Sequence, residues 1–168
     1  MIYIVTGGID EGKTQKIDAI YSQIKKGDGW VSRKIFFKTD FIGYEIVRLS
    51  TNEKMPLAYK VEHVPPGWDE IYRIGPFSFS KRAFDFAGTI GSEIIHQGIE
   101  PVFIDEIGPL ELSGKGFCSL LEKILKASKD VYIVVRRHCV EDVIIKFGIK
   151  EYEKITPSAT FAPSAVNK

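Results

Sequence analysis

Length, composition and charge narrow the classes of protein to which this sequence can belong. The chain has 168 residues, the size of a single domain with one hydrophobic core. Its formal net charge is only +1 at pH 7, from 23 basic and 22 acidic residues dispersed along the chain. A nucleic-acid partner is therefore unsupported, because proteins that bind polyanions concentrate their basic residues on one surface.

Hydropathy and cysteine content indicate the cellular compartment in which the protein is expected. No apolar run approaches the ~20 residues that a membrane-spanning helix requires, and the first apolar run is too short for a signal peptide. Cys118 and Cys139 match no close metal-binding spacing and are expected to be buried thiols in a reducing compartment. We therefore expect a soluble, cytoplasmic protein without a membrane partner.

The most informative stretch is glycine-rich and reads Gly7-Gly8-Ile9-Asp10-Glu11-Gly12-Lys13-Thr14, which fits the pattern G-x4-G-K-[ST]. Glycines let such a backbone wrap around an anion with its N–H groups pointing inward, and the positive end of the next helix faces the same point. Lys13 is placed to meet β- and γ-phosphate oxygens, and the Thr14 hydroxyl to ligate Mg²⁺. We call Gly7–Thr14 the phosphate loop.

The predicted elements on either side of the phosphate loop favour nucleotide binding over a chance match. The run Ile2-Tyr3-Ile4-Val5 is typical of a buried parallel strand. After the loop, apolar residues recur at helical spacing until Gly27, which is a stop signal. The residues predicted to bind nucleotide are Gly7, Gly8, Ile9, Asp10, Glu11, Gly12, Lys13, Thr14 and Gln15.

A change of pattern follows the first helix. Three strand-like runs, Val31–Phe37, Tyr44–Leu49 and Leu57–Val61, have no helical pattern between them. They predict an antiparallel β-insertion over about residues 30–64, beside an otherwise parallel sheet. The segment that follows, with Trp68, Tyr72 and Phe77, is predicted to be a loop-rich link.

The rest of the chain alternates helix and strand, which predicts an α/β fold with a mainly parallel sheet. The predicted elements are a helix from the N-cap Ser80 to about Gln97, a strand at Pro101–Ile104, a helix around Phe117–Leu125, a strand at Val131–Val135, a short helix to Phe147 and a strand at Tyr152–Thr156. We predict one domain over residues 1–156 and a flexible tail over 157–168.

An acidic pair, Asp105 and Glu106, directly follows the apolar run Val102-Phe103-Ile104. Ligands bind at the carboxyl ends of strands in open α/β sheets, and the arrangement is that of a Walker B strand. The first carboxylate is expected to hold the magnesium shell. The second can orient the attacking water or take its proton. The alternative is that the acidic pair only marks the point where a strand leads into a loop. The phosphate loop upstream favours the Walker B interpretation.

Four further polar residues leave alternatives open. Glu111 is expected to cap a helix or pair with a lysine such as Lys115 rather than act in the site. Arg136 and Arg137 follow a core strand and can stabilise transferred charge or lie solvated at the surface. His138 can sense the γ-phosphate or be a surface residue.

The chain resembles the family of small P-loop nucleoside-triphosphatases. The residues that carry the resemblance are Gly7–Thr14, the run Ile71-Tyr72-Arg73-Ile74-Gly75, and above all Val102-Phe103-Ile104-Asp105-Glu106-Ile107-Gly108-Pro109-Leu110-Glu111-Leu112. It extends from residue 1 to about residue 156. The sequence departs from the family pattern at Gln15, where a second Thr is usual, and at Pro109, where Lys is usual.

The resemblance implies a three-layer, RecA-like fold with the 131–135 strand between the phosphate-loop strand and the Walker B strand. It also implies Mg²⁺-dependent hydrolysis of nucleoside triphosphates with broad tolerance of the base, so that ATP, GTP, CTP and UTP are all substrates. Lys13 and Glu106 are then the catalytic residues, and Thr14 and Asp105 the metal ligands. The oligomeric state is left open, with a monomer favoured.

Two other functions are compatible with the same residues. The first is a phosphotransferase that holds a small-molecule acceptor against the β-insertion and the 71–82 link. The second is a nucleotide-gated binding or assembly protein whose turnover is incidental. Dependence of the reaction on an acceptor, or on a partner protein, distinguishes these from a hydrolase.

Overall fold

One nine-stranded sheet organises residues 1–128 and 130–158, the part of the chain that this computed structural model describes. Its strands in chain order are β1 (Ile2–Gly7), β2 (Asp28–Phe37), β3 (Asp40–Arg48), β4 (Lys54–Lys60), β5 (Glu70–Ile74), β6 (Phe77–Ser80), β7 (Val102–Ile107), β8 (Val131–Arg136) and β9 (Tyr152–Ile155). The helices are α1 (Lys13–Ile24), α2 (Lys81–Gln97), α3 (Pro109–Leu112), α4 (Cys118–Ala127) and α5 (Val140–Lys146). Across the sheet the order is β5-β6-β4-β3-β2-β7-β8-β1-β9.

The parallel part of the sheet is formed by β2, β7, β8, β1 and β9. Strand β8 lies between β1 and β7, as the family resemblance implied. These central strands are rich in β-branched residues and are buried on both faces, since helices cover the sheet from either side. All of the predicted parallel strands are therefore present, and their carboxyl ends share one edge.

The helices form two layers, one on each face of the sheet. On one face, Ile17 and Ile20 of α1 pack with Val5, Phe103 and Val134. On the other face, α2, α4 and α5 contribute the buried residues Ala83, Ala87, Ile90, Ile94, Leu121, Ile124, Val140 and Val143. The predicted three-layer α/β architecture is confirmed. Within residues 1–128 and 130–158, every helix is too short or too polar to span a membrane.

The β-insertion is larger than the sequence predicted. Residues Asp28–Trp30 of β2 pair in parallel with β7, and β2 then continues into an antiparallel run with β3, β4, β6 and β5. The predicted loop-rich link was wrong, because Tyr72 lies in β5 and Phe77 in β6. The sequence signal for these two strands was weak. The alternation of Phe77 and Phe79 with serines spans only four residues, and β5 is mostly exposed. The predicted tail lies outside the described residues from position 159 onward.

The start of α2 is capped by a residue that precedes β5. Ser80 occupies the predicted N-cap position, but its hydroxyl donates to Asp69 Oδ1 at 2.6 Å instead of capping the helix. Asp69 Oδ2 accepts the Arg82 backbone N–H at 2.7 Å. The carboxylate of Asp69 therefore satisfies a free N–H of the first turn, where negative charge is favourable.

Asp28 joins the insertion to the parallel sheet. Its buried carboxylate accepts the backbone N–H groups of Gly29 at 2.8 Å and Ser50 at 3.2 Å. It also forms an ion pair with Arg48, whose other nitrogen meets Glu93 of α2 at 2.7 Å. Gly29 beside it has φ 148°, and a Cβ there would lie 1.9 Å from the Phe103 carbonyl oxygen. This junction therefore requires both the charge network and the glycine.

Replacement of Asp28 by Asn tests the junction. The change leaves the Arg48 guanidinium, whose side chain is only 13% exposed, without its main counter-charge. We expect a loss of about 3 kcal/mol in the free energy of unfolding, the scale for breaking a buried ion pair. Urea denaturation measures it. Asp85→Asn removes an exposed pair with Lys81 and should have no measurable effect; equal effects of the two changes would contradict the role of Asp28.

Candidate nucleotide-binding and catalytic site

The phosphate loop connects β1 to α1 at the carboxyl edge of the parallel strands. Gly12 has φ 81°, a left-handed conformation that favours glycine, and α1 begins at the next residue. The Lys16 N–H bonds to the Gly12 carbonyl at 2.9 Å, which starts the helical hydrogen bonding. The first N–H groups of a helix have no partner within it, and such groups are suited to bind an anion.

The phosphate loop and the end of β7 meet through one hydrogen bond. The Thr14 hydroxyl donates to Asp105 Oδ2 at 2.6 Å, although the two residues are 91 positions apart. The Ser32 backbone N–H donates to the same carboxylate oxygen at 3.2 Å, and the Ser32 hydroxyl to the Asp105 carbonyl at 2.8 Å. Asp105 is thus fixed by residues of α1 and β2. Ser32 could not be predicted from the sequence as part of the site, because only the pairing of β2 with β7 brings it to Asp105.

The environment of Asp105 suits a divalent cation. The side chain is buried, and burial raises the pKa of its carboxyl to about 7; the hydrogen bond from Thr14 opposes this rise and the nearby Glu106 adds to it. A hydroxyl and a carboxylate are hard oxygen ligands of the kind that Mg²⁺ accepts. The described residues contain no cluster of three or more His, Cys, Asp or Glu able to hold a metal. Phosphate oxygens and water would have to complete the shell.

Glu106, the other member of the acidic pair, is held by the end of β8. Its Oε1 accepts a hydrogen bond from Arg136 Nε at 2.5 Å. Burial acts to lower the pKa of Arg136, but the Glu106 carboxylate outweighs it and the pKa is raised. Arg136, for which the sequence left open a role in stabilising transferred charge or a solvated position, forms an ion pair with Glu106.

The charged side chains of the phosphate loop are engaged with neighbouring groups. Lys13 Nζ donates to the Gly8 carbonyl at 2.6 Å, which keeps it against the loop. Asp10 pairs with Lys34 of β2 at 2.8 Å, and this hydrogen bond raises the pKa of Lys34. Glu11 pairs with Arg137 at 2.7 Å. Lys34 was also missed from the sequence, for the same reason as Ser32.

The remaining predicted positions lie at the surface of the site. Ile9, at the outer turn of the loop, is 89% exposed. Gln15 is exposed on the first turn of α1. His138 is exposed in a single helical turn that follows β8. The Gln15 side chain nevertheless lies close to the loop, since a Cβ at Gly12 would be 3.4 Å from its Oε1.

Glu111 caps the turn that follows β7. Its buried carboxylate accepts the backbone N–H groups of Gly108 at 3.0 Å and Phe117 at 3.1 Å. The capping alternative is therefore confirmed. Lys115 instead lies 5.8 Å from the centroid of the Tyr72 ring. The family-atypical Pro109 occupies the first turn of α3, where its missing N–H has no cost.

A strand, a glycine-rich loop, a helix and a buried carboxylate at the end of a second parallel strand define a P-loop NTPase. The sequence model of a family described as NTPase matches residues 2–157. The chain belongs to this family. The predictions of the family, of the fold and of an enzyme that hydrolyses nucleoside triphosphates are confirmed.

Curated relatives of the chain carry one name. The nucleoside-triphosphatase THEP1 of Methanocaldococcus jannaschii is 24% identical over 144 residues, which cover 83% of this chain and 81% of the relative. That of Pyrococcus abyssi is 26% identical over 145 residues, which cover 84% and 77%. That of Thermotoga sp. strain RQ2 is 25% identical over 137 residues, which cover 82% and 75%.

Two solved structures share the fold. The crystal structure of THEP1 from Aquifex aeolicus aligns with a TM-score of 0.72 at 20% identity, over 93% of this chain and 89% of that one. The solution structure of a human cancer-related nucleoside triphosphatase aligns with a TM-score of 0.68 at 21% identity, over 92% and 87%. The likeness covers nearly the whole chain.

The capping role of Glu111 gives a second testable expectation. Glu111→Ala leaves two buried N–H groups without an acceptor, and each unpaired group costs about 1–3 kcal/mol. We expect a loss of about 2–4 kcal/mol in the free energy of unfolding, measured by urea denaturation. Glu122→Ala, on the exposed side of α4, is the matched control and should change little. A stability of Glu111→Ala equal to that of the control would refute the capping role.

Proposed function

We propose that the chain is a Mg²⁺-dependent nucleoside-triphosphatase that cleaves the bond between the β- and γ-phosphates and accepts different bases. The observation that carries the proposal is the 2.6 Å hydrogen bond between Thr14 Oγ1 and Asp105 Oδ2. It brings a hydroxyl of the phosphate loop and a buried carboxylate to one point. Such a pair is what the metal of a P-loop NTPase requires.

The phosphates are expected to bind along the phosphate loop, with backbone N–H groups and the start of α1 as donors. Lys13 releases the Gly8 carbonyl and binds the β- and γ-phosphate oxygens instead. Thr14 and Asp105 would hold Mg²⁺, which neutralises charge on the same oxygens. The two residues already share a hydrogen bond, so the ligands need little rearrangement.

Glu106 is proposed to orient the attacking water and accept its proton. Its side chain is 27% exposed, which leaves water access, whereas Asp105 next to it is buried. The two carboxylates also have different partners, Asp105 with Thr14 and Ser32 and Glu106 with Arg136, so they are free to take different tasks. The ion pair with Arg136 supports this role because it fixes the carboxylate at the end of β7.

Glu106→Gln should separate binding from hydrolysis. The amide keeps the size of the side chain but cannot act as a base, so kcat should fall by about 10² or more. Affinity for a non-hydrolysable MgATP analogue should be kept. Lys13→Ala is the contrasting variant and should lose triphosphate affinity; Asp105→Ala should damage the metal dependence. Phosphate release measures the hydrolysis rate, and calorimetry measures nucleotide affinity. If Glu106→Gln hydrolyses nucleotide at the wild-type rate, a residue other than Glu106 is the general base.

Tolerance of the base is proposed because the sequence offers no guanine-reading Asn-Lys-x-Asp motif. The closest stretch, Phe37-Lys38-Thr39-Asp40, connects β2 to β3 inside the β-insertion. Without hydrogen bonds to the base edge, a wrong base leaves few buried groups unpaired. Affinity then comes mainly from the phosphates and the metal.

The corresponding prediction is that ATP, GTP, CTP and UTP differ by about tenfold or less in kcat/KM, which is ~1.4 kcal/mol. A phosphate-release assay with the four nucleotides at saturating Mg²⁺ tests it. A hundredfold preference would reveal a base pocket. The same assay, repeated with candidate small-molecule acceptors, distinguishes hydrolysis from phosphoryl transfer, since a phosphotransferase releases little phosphate without an acceptor.

A further inference from the structure

Glu11 lies over the first residues of the phosphate loop. Its Oε2 accepts the Gly8 backbone N–H at 2.6 Å and the Arg137 guanidinium at 2.7 Å. The carboxylate is so close to the backbone that a Cβ at Gly7 or at Gly8 would lie 2.9 Å or 2.6 Å from its oxygens. The side chain thus lies against the backbone of Gly7 and Gly8.

These contacts are the ones that a phosphate oxygen makes in such a loop. An anion that receives a backbone N–H and a guanidinium satisfies both donors with charge-assisted hydrogen bonds. The Gly8 carbonyl is meanwhile bound by Lys13, the cation expected to meet phosphate. Both polar groups of the Gly8 residue are therefore occupied by charged side chains of the loop itself. A bound phosphate and the Glu11 carboxylate cannot share these donors without strong repulsion.

The position of Arg137 indicates which phosphate is concerned. Arg137 directly follows Arg136, the partner of Glu106. Glu106 is the residue proposed to orient water, which must lie beside the γ-phosphate. This adjacency assigns the Glu11–Arg137 pair to the γ-phosphate end of the loop, whereas the start of α1 is expected to serve the phosphates nearer the nucleoside.

We propose that Glu11 determines how strongly the site prefers triphosphate over diphosphate, by competing with the γ-phosphate for the Gly8 N–H and Arg137. A bound triphosphate displaces the carboxylate and takes over Arg137. A diphosphate leaves the pair in place. Once the γ-phosphate has gone, Glu11 returns and opposes its rebinding. The inference rests on the proposed function and assigns Glu11 and Arg137 to the same site.

Calorimetry with the Mg²⁺ complexes of ADP and of a non-hydrolysable ATP analogue tests the proposal. Glu11→Gln should bind the triphosphate analogue about tenfold more tightly and ADP less than twofold more tightly. Asp10→Asn is the matched control, since Asp10 is an acidic residue of the same loop that pairs with Lys34 instead. It removes the same charge, so it should shift both ligands by a similar factor. Equal shifts of the two ligands in Glu11→Gln would overturn the proposal.

A double-mutant cycle with Glu11→Gln and Arg137→Met tests whether Arg137 changes partner from Glu11 to the γ-phosphate. In the wild type, Arg137→Met removes a contact to the γ-phosphate, which lowers affinity for the triphosphate analogue. It also removes the residue that holds Glu11 over the loop, which raises that affinity, so the two effects oppose each other. In Glu11→Gln, only the loss of the contact remains, so the analogue should lose more affinity in that background. If Arg137→Met lowers affinity for the analogue equally in the wild type and in Glu11→Gln, Arg137 does not change partner from Glu11 to the γ-phosphate. If Lys13→Ala binds both nucleotides like the wild type, the proposed function fails instead, which distinguishes the two outcomes.

Discussion

The parallel pairing of β1, β8 and β7 places the phosphate loop and Asp105 at the same edge of the sheet. Strands β1 and β8 pair in register over the whole of β1, and the hydrogen bond from Thr14 to Asp105 joins the segment after β1 to β7. The burial that raises the pKa of Asp105 comes from the same packing, with α1 on one face and α2 and α4 on the other. The candidate metal site is therefore a consequence of the three-layer architecture.

Charge around the site is arranged as three neighbouring ion pairs rather than as a set of free cations. Lys34 is held by Asp10, Arg137 by Glu11 and Arg136 by Glu106. Each pair joins two elements that the chain order separates. Each pair involves partly exposed side chains, and pairs of this kind contribute little free energy to the fold. The pairs hold these three cations beside the phosphate loop and β7.

The β-insertion contributes directly to the site as well as extending the sheet. Strand β2 begins beside β7 and continues beyond it, which brings Ser32 to Asp105 and Lys34 to Asp10. Asp28 and Arg48 secure the point at which the insertion leaves the parallel sheet. Strand β2 therefore connects the junction at Asp28 to Ser32, whose backbone N–H and hydroxyl both bond to Asp105.

The sequence by itself determined the local features: the phosphate loop, α1 with its buried Ile17 and Ile20, the apolar strands of the parallel sheet and the acidic pair that ends β7. Each of these is carried by a contiguous pattern or a fixed spacing. Tertiary structure alone decided that residues 70–80 form a hairpin, that Asp69 caps α2, and that Ser32 and Lys34 reach the site. It also decided that Glu11 and Arg137 meet 126 positions apart. Strand pairing sets these contacts, and pairing partners distant in the chain leave no periodicity in the sequence.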